Sequence, residues 1–333
     1  MKPLLRATAL VYRPDGFRAI GGIRRLAMEV VRQQDPSSCC VVVARSSLAD
    51  QLDGGLPGIP VVRKLHGVSR MLIFGCDSPW AYGLVVRTRL LRPSLKIGWL
   101  PSFHDPSSVS HAWRARLAQL ALKATQSWGI TVYAQTSHER KLLDGGLCQL
   151  SSHGLPADVK EKLAGRLDLG RFSATSPRPV DLLFLGRPTR QKGWMRFLTL
   201  ARLTRLHCLA IVPFEPTTDN IPENVQLVIR PSDDAIQACL SRSKVVIIPA
   251  DYESFGIAQL EAVAAGCAVP LLGRWPLWDH FHHLHWQGCR DDVLAERLRR
   301  LCRSPRLLQR IAHQQAQYIF YHPITSTAFL PGF

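Results

Sequence analysis

Two carboxylates, Glu253 and Glu261, stand on either side of a glycine in residues 245–266, VVIIPADYESFGIAQLEAVAAG. The pattern predicts a strand ending near Pro249, a short loop carrying Glu253, and a helix opening near residues 255–256. Gly266 is placed to close that helix. A helix that starts at the carboxyl end of a parallel strand points its first amides and positive dipole end into the crevice. This makes an anion site of the backbone at Phe255, Gly256 and Ile257. Gly256 lets a ligand approach with no Cβ in the way. Glu261 lies about 7–8 Å further along the axis, and its side chain leans back toward the helix start. A diphosphate on the amides and a ribose at Glu261 fit one nucleotide, with Glu253 at the mouth where a sugar would lie.

A second segment, residues 182–194, reads LLFLGRPTRQKGW. A strand runs into Gly186, two cations follow at Arg187 and Lys192, and Lys192-Gly193 leads into a helix. Two fixed cations on one loop can neutralise a departing diphosphate. Taken alone, the pair reads better as solvated cations in an ordinary turn. The histidines of DHFHHLH, residues 279–285, offer imidazoles but no second cluster to complete a zinc site, so an ordinary polar loop is expected and no metal is assigned.

The spacing Glu253-x7-Glu261 resembles the signature of retaining GT-B glycosyltransferases, especially family 4. The stretch from Gly186-Arg187 to Lys192-Gly193 is similar to that family's diphosphate-binding loop. The resemblance implies an α/β fold of the GT-B kind, with two Rossmann-like doubly wound domains facing a central cleft. It implies a nucleotide-diphosphate sugar donor and a glycan or lipid-linked acceptor, with no cofactor and no metal. Arg187, Lys192 and the amides at 255–257 would stabilise the leaving diphosphate, Glu261 would hold the ribose, and Glu253 would orient the sugar. By the same resemblance Gly21 and Gly22 form a glycine loop near the donor phosphates. His104, in the run PSFHD at 101–105, would lie by the transferred sugar. One departure is His153-Gly154, where relatives often carry Asn-Gly. The implied activity is sugar transfer with retention, in cell-surface glycan or polysaccharide biosynthesis. The alternatives are a nucleotide-sugar epimerase of the same fold and a non-catalytic nucleotide-binding protein.

The elements that must position these groups alternate along the chain. Apolar runs at 4–11, 39–44, 71–75, 96–100 and 130–134 predict strands in the first half. Runs at 180–185, 208–212, 225–229, 245–249 and 268–272 predict strands in the second. Continuous Val, Ile and Leu suits parallel strands covered on both faces. Helical patterns at 23–33, 111–127, 194–204, 233–241 and 256–265 fall between them, and two helices are expected from 291 to about 321. The polar, proline-bearing stretch after Gly170 reads as a linker. The expected division is therefore an acceptor domain at 1–170, a linker at 171–179, a nucleotide-sugar domain at 180–310, and a tail at 311–333 crossing back to the first domain.

Composition narrows the class. The 333 residues are 46% hydrophobic and 20% charged, enough apolar surface for packed cores. No apolar run approaches the roughly 18–20 residues that span a bilayer, and Arg6 and Pro14 interrupt the start, so no secretory signal is expected. The nine cysteines form no C-x-x-C pair, which argues against a disulfide scaffold and for a reduced, cytoplasmic setting. The net charge of +17 is lopsided: residues 1–180 carry 25 Lys and Arg against 12 Asp and Glu, residues 181–333 carry 17 against 13. That asymmetry points to an anionic partner of the first half, with peripheral contact at the inner face of an anionic membrane as one expectation and a solvated basic face as the other. Nucleic acid is disfavoured, because the arginines are scattered through helical patterns without interleaved aromatics.

Overall fold

The structure, a computed structural model, describes residues 7–11, 39–42, 61–62, 68–75, 79–101, 103, 112–150, 155–168, 178–217, 220–253, 255–275 and 284–321. The chain divides into two compact units, Met1–His153 with Thr327–Phe333 and Gly154–Ser326. The sequence-based boundary fell after residue 170. Helix Ala157–Asp168 instead packs with the second unit, where Val159 and Leu163 are buried in its core. Most of the expected linker, 171–177, lies outside the described residues.

The first unit is built on a seven-stranded sheet: β1 (Ala7–Val11), β2 (Cys39–Val42), β3 (Val61–Val62), β4 (Val68–Phe74), β5 (Lys96–Leu100), β6 (Ile130–Ala134) and β7 (Cys148–Leu150). Their order is β3-β2-β1-β4-β5-β6-β7 and every pair is parallel. Strand order reverses between β1 and β4, which is the switch point of a doubly wound sheet. Helices α1 (Pro79–Leu91), α2 (Ala112–Gln126) and α3 (Ser137–Leu143) link β4 through β7. Successive right-handed crossovers in one direction place all three on the same face of the sheet. Met71, Ile73, Val85, Ile97, Trp99, Leu122 and Val132 are fully buried between the layers. The indole of Trp99 donates to Gly75 O at 2.7 Å, so the largest core side chain has no unmet polar atom.

A buried carboxyl stitches two strand ends together. Thr136 caps α3 by accepting from the Glu139 amide at 3.1 Å, while the Glu139 side chain accepts from Phe103 N at 2.7 Å and Gln135 N at 2.6 Å. Burial pushes this carboxyl up to about 7, with the two amides pulling the other way.

The second unit holds a four-stranded parallel sheet in the order β10-β9-β8-β11: β8 (Val180–Leu185), β9 (Cys208–Val212), β10 (Val225–Ile229) and β11 (Ser243–Val246). Around it lie α4 (Ala157–Asp168), α5 (Trp194–Thr204), α6 (Asp233–Ser241), α7 (Ile257–Ala264), α8 (Asp291–Cys302) and α9 (Pro305–Tyr321). Strands β8, β9 and β10 match the sequence expectation, as do α5 and α6. The expected strand at 268–272 does not join the ladder. It touches β11 only through a bridge from Ala268 to Val245, and a second bridge joins Leu271 to His285. The Gln315 amide on α9 takes both backbone groups of Val269, accepting from its N–H at 3.0 Å and donating to its carbonyl at 2.8 Å. A side chain thus replaces the neighbouring strand that an apolar run alone implies.

Candidate functional site

The carboxyl ends of β8 and β11 lie side by side, in register through Leu182 with Val245 and Leu183 with Val246. Beyond Val246 the chain continues extended, and Ile247 N donates to Leu183 O at 2.9 Å. Two loops leave these ends. The first passes Gly186, Arg187 and a 3-10 turn at Arg190–Lys192 before entering α5; the second passes Glu253 and enters α7.

Glycine decides how closely the loops approach. Gly193 has φ +71°, and a Cβ there would stand 2.0 Å from Pro249 O, so no other residue fits without moving the β11 extension. Gly256, at φ +70°, is the N-cap of α7, and no side chain caps that helix. Its first-turn amides keep the anion-binding character that an uncapped helix start carries. Gly266 closes the helix at φ +81°, with Gly266 N donating to Val263 O at 2.8 Å and Cys267 N to Ala262 O at 2.9 Å, the Schellman pair expected of a glycine there. Gly186 is less constrained: a Cβ would meet Lys192 Cγ at an ordinary 3.7 Å.

Lys192 and Glu253, 61 residues apart, form an ion pair that ties the two loops together. Glu253 is buried and Lys192 is partly buried. Burial, with the Arg187 charge nearby, pushes the Lys192 ammonium down to about 7. Arg187 is exposed and donates to Gln191 Oε1 at 3.0 Å. Phe255 is buried at the α7 start, and Glu261 is half-buried on its second turn. The structure therefore brings Gly186, Arg187, Lys192, Glu253, Phe255, Gly256, Ile257 and Glu261 to one corner of the second unit. Gly21, Gly22 and His104 lie outside the described residues, as do Trp278 and residues 279–283 of the histidine run.

Sequence reasoning passed over Gln259. It is fully buried in the first turn of α7, its Oε1 would stand 3.0 Å from a Cβ at Gly256, and its Nε2 has no hydrogen-bond partner. The signal was an amide inside the otherwise apolar run IAQL. Thr189 Oγ1 and Trp194 Nε1, bracketing Lys192, are likewise buried without a partner. Such orphaned donors and acceptors are rare in packed interiors. Among the described residues no three His, Cys, Asp or Glu gather as metal ligands.

Residues 217–270, a span holding Glu253, the α7 start and Glu261, match the family model described as glycosyl transferases group 1. Anabaena HepE, solved with UDP and glucose, is similar in structure at TM-score 0.66 and 13% identity, covering 95% of this chain and 96% of that one. Sucrose-phosphate synthase from Thermosynechococcus elongatus matches at TM-score 0.62 and 16% identity, over 95% of both chains. WaaG, a glycosyltransferase involved in lipopolysaccharide biosynthesis, matches at TM-score 0.54 and 14% identity over 97% of this chain and 96% of that one. No curated protein sequence matches significantly. The two parallel doubly wound units and these neighbours give the chain the GT-B fold, and its segment 217–270 is similar to the group 1 glycosyltransferases.

Proposed function

We propose that the protein transfers a sugar from a nucleotide-diphosphate sugar to a hydroxyl acceptor with retention of anomeric configuration, in cell-surface glycan or polysaccharide biosynthesis. The observation that carries this reading is the joined pair of loops at the ends of β8 and β11: the Lys192–Glu253 ion pair beside the uncapped start of α7. A cation and aligned amides on one side suit a diphosphate, and Glu261, four residues and about 6 Å along the helix, suits the ribose. In the transfer the bond from the anomeric carbon to the phosphate oxygen breaks, and its electron pair stays on the diphosphate. Arg187, Lys192 and the amides at 255–257 stabilise that charge. The acceptor oxygen bonds to the anomeric carbon from the same face and its proton passes to the leaving diphosphate oxygen, so no covalent nucleophile is assigned. Glu253 serves to hold Lys192 and orient the sugar. The roles of His104 beside the sugar and of Gly21 and Gly22 near the phosphates rest on the family resemblance.

The test is product formation from UDP-, GDP- and ADP-sugars with a panel of glycan acceptors, read by NMR at the new anomeric centre. Wild type is expected to form product with the donor's configuration, and Lys192→Ala and Glu261→Ala are each expected to lose about a hundredfold or more of the rate while staying folded. Undiminished transfer by both variants would remove the site assignment, and an inverted product would remove retention.

A further inference from the structure

Helix α2 is apolar on two sides, with Leu122 in the core and a second apolar set turned outward. Trp113, Leu117, Leu120, Ala124 and, just past the helix end, Trp128 recur at spacings of four, three, four and four. All five share one side of a 3.6-residue helix, and that side faces solvent: Trp113 is 60% exposed, Leu117 57%, Leu120 63% and Trp128 49%. The face turned to the protein is mixed: Leu122 is fully buried in the core and Ala118 packs against it, beside Thr125 and two glutamines. Gln119 donates to Leu142 O at 2.7 Å, while buried Gln126 donates to Leu143 O at 2.6 Å and accepts from Gly145 N and Leu147 N. Among the described residues, no core cluster takes in Trp113, Leu117, Leu120 or Trp128. Helix α1 extends the surface. Leu90, 78% exposed, and Val86 line a groove with Arg89 and Trp128, and Arg89 ties the two helices by donating to Gly129 O at 2.8 Å.

The charge around this stripe is of one sign. Arg114 flanks it on one edge, its guanidinium 5.2 Å from the Trp113 ring, and Arg116 and Lys123 flank it on the other. Arg87, Arg92 and Lys96 lie on or beside α1, and neither helix contains a single Asp or Glu. Two copies of the chain pressed together here would oppose arginine to arginine with no carboxylate between them. An anionic bilayer meets both demands: apolar depth for the leucines and negative headgroups for the rim. Tryptophans about 20 Å apart along the axis fit a helix lying in the headgroup plane.

We propose that the solvent-facing side of α1 and α2 docks the protein on anionic lipid bilayers. The proposal is independent of the transfer reading and would survive its failure. It is tested by sedimenting the full chain with phosphatidylcholine vesicles, with and without about 30% phosphatidylglycerol. Binding is expected only with the anionic lipid and is expected to fall steeply with added salt. Arg114→Glu/Arg116→Glu should lower the partition coefficient at least about thirty-fold, since losing each basic residue near such a surface removes about fivefold and the new carboxylates add repulsion. Leu117→Ser/Leu120→Ser should lower it about tenfold or more. Arg303→Glu/Arg306→Glu, exposed in the second unit, should change nothing. Brominated lipid should quench wild-type tryptophan fluorescence, and Trp113→Phe/Trp128→Phe should abolish that quenching. Equal binding to neutral vesicles, equal weakening by the second-unit reversal, or no binding at low salt would overturn the proposal. So would lipid-free self-association that Leu117→Ser/Leu120→Ser removes without any vesicle binding, since a second copy would then own the face.

Discussion

Lys192 is the residue on which the electrostatics of the donor corner turn. It pairs with Glu253, neighbours Arg187, and has its ammonium pushed down to about 7. A lysine with that ionisation carries its charge below about pH 7 and loses it as pH rises through that value. A UDP-sugar diphosphate keeps its charge throughout this range, so the change falls on the protein. Affinity for UDP-glucose, measured by calorimetry between pH 6 and 8.5, is accordingly expected to weaken on the alkaline side. Lys192→Arg keeps its charge at every pH in that window and should flatten the profile. An equally pH-dependent Lys192→Arg would mean that another group titrates. At this scale the sequence was legible in types and poor in pairings. The loop cations and the two glutamates were visible as separate runs. That Lys192 and Glu253 meet across 61 residues was not, because local spacing says nothing about which strand ends become neighbours. Gln259 went unnoticed for the same reason: only packing shows that its amide is enclosed without a partner.

Strands and helices were read best where their backbone partners are local or where both faces are covered. Helices α5 and α6 and strands β8, β9 and β10 have the expected bounds, because long apolar runs and caps such as Ser232, which accepts from Ala235 N, specify them directly. Residues 268–272 look like a fifth strand of the second half, but Val269 pairs with Gln315, a contact that no periodicity encodes. The short strand β7 and the helix α4 were missed for want of a strong pattern. The junction of loop and strand at Gly193 depends on a backbone approach that only glycine permits. Gly193→Ala would push a Cβ into Pro249 O and force a left-handed conformation on an alanine, at a cost of about 2–4 kcal/mol. Urea denaturation should show that loss, and a variant as stable as wild type would mean the two loops can separate freely.

Over the whole molecule, the proposed donor site and the proposed lipid-docking face fall in different units. The basic excess lies in residues 1–180, and the exposed stripe of α2 shows where some of it is displayed. The groups proposed to hold the donor belong to the second unit. Hydrogen exchange of the full chain with UDP-glucose is therefore expected to slow at residues 186–193 and 255–261 and to leave 112–126 unchanged. Uniform protection, or none at the two loops, would move the donor elsewhere. No helix among the described residues is long and apolar enough to cross a membrane. Much of this was determined by the sequence alone: α/β alternation, the parallel character of the sheets, the glutamate spacing and the charge asymmetry. Each of these follows from local periodicity or residue type. Tertiary structure alone decided that α4 belongs to the second unit, that Lys192 closes on Glu253, and that α2 turns Leu117 and Leu120 outward. These are choices among distant surfaces, and which surface is buried depends on what the rest of the chain leaves uncovered.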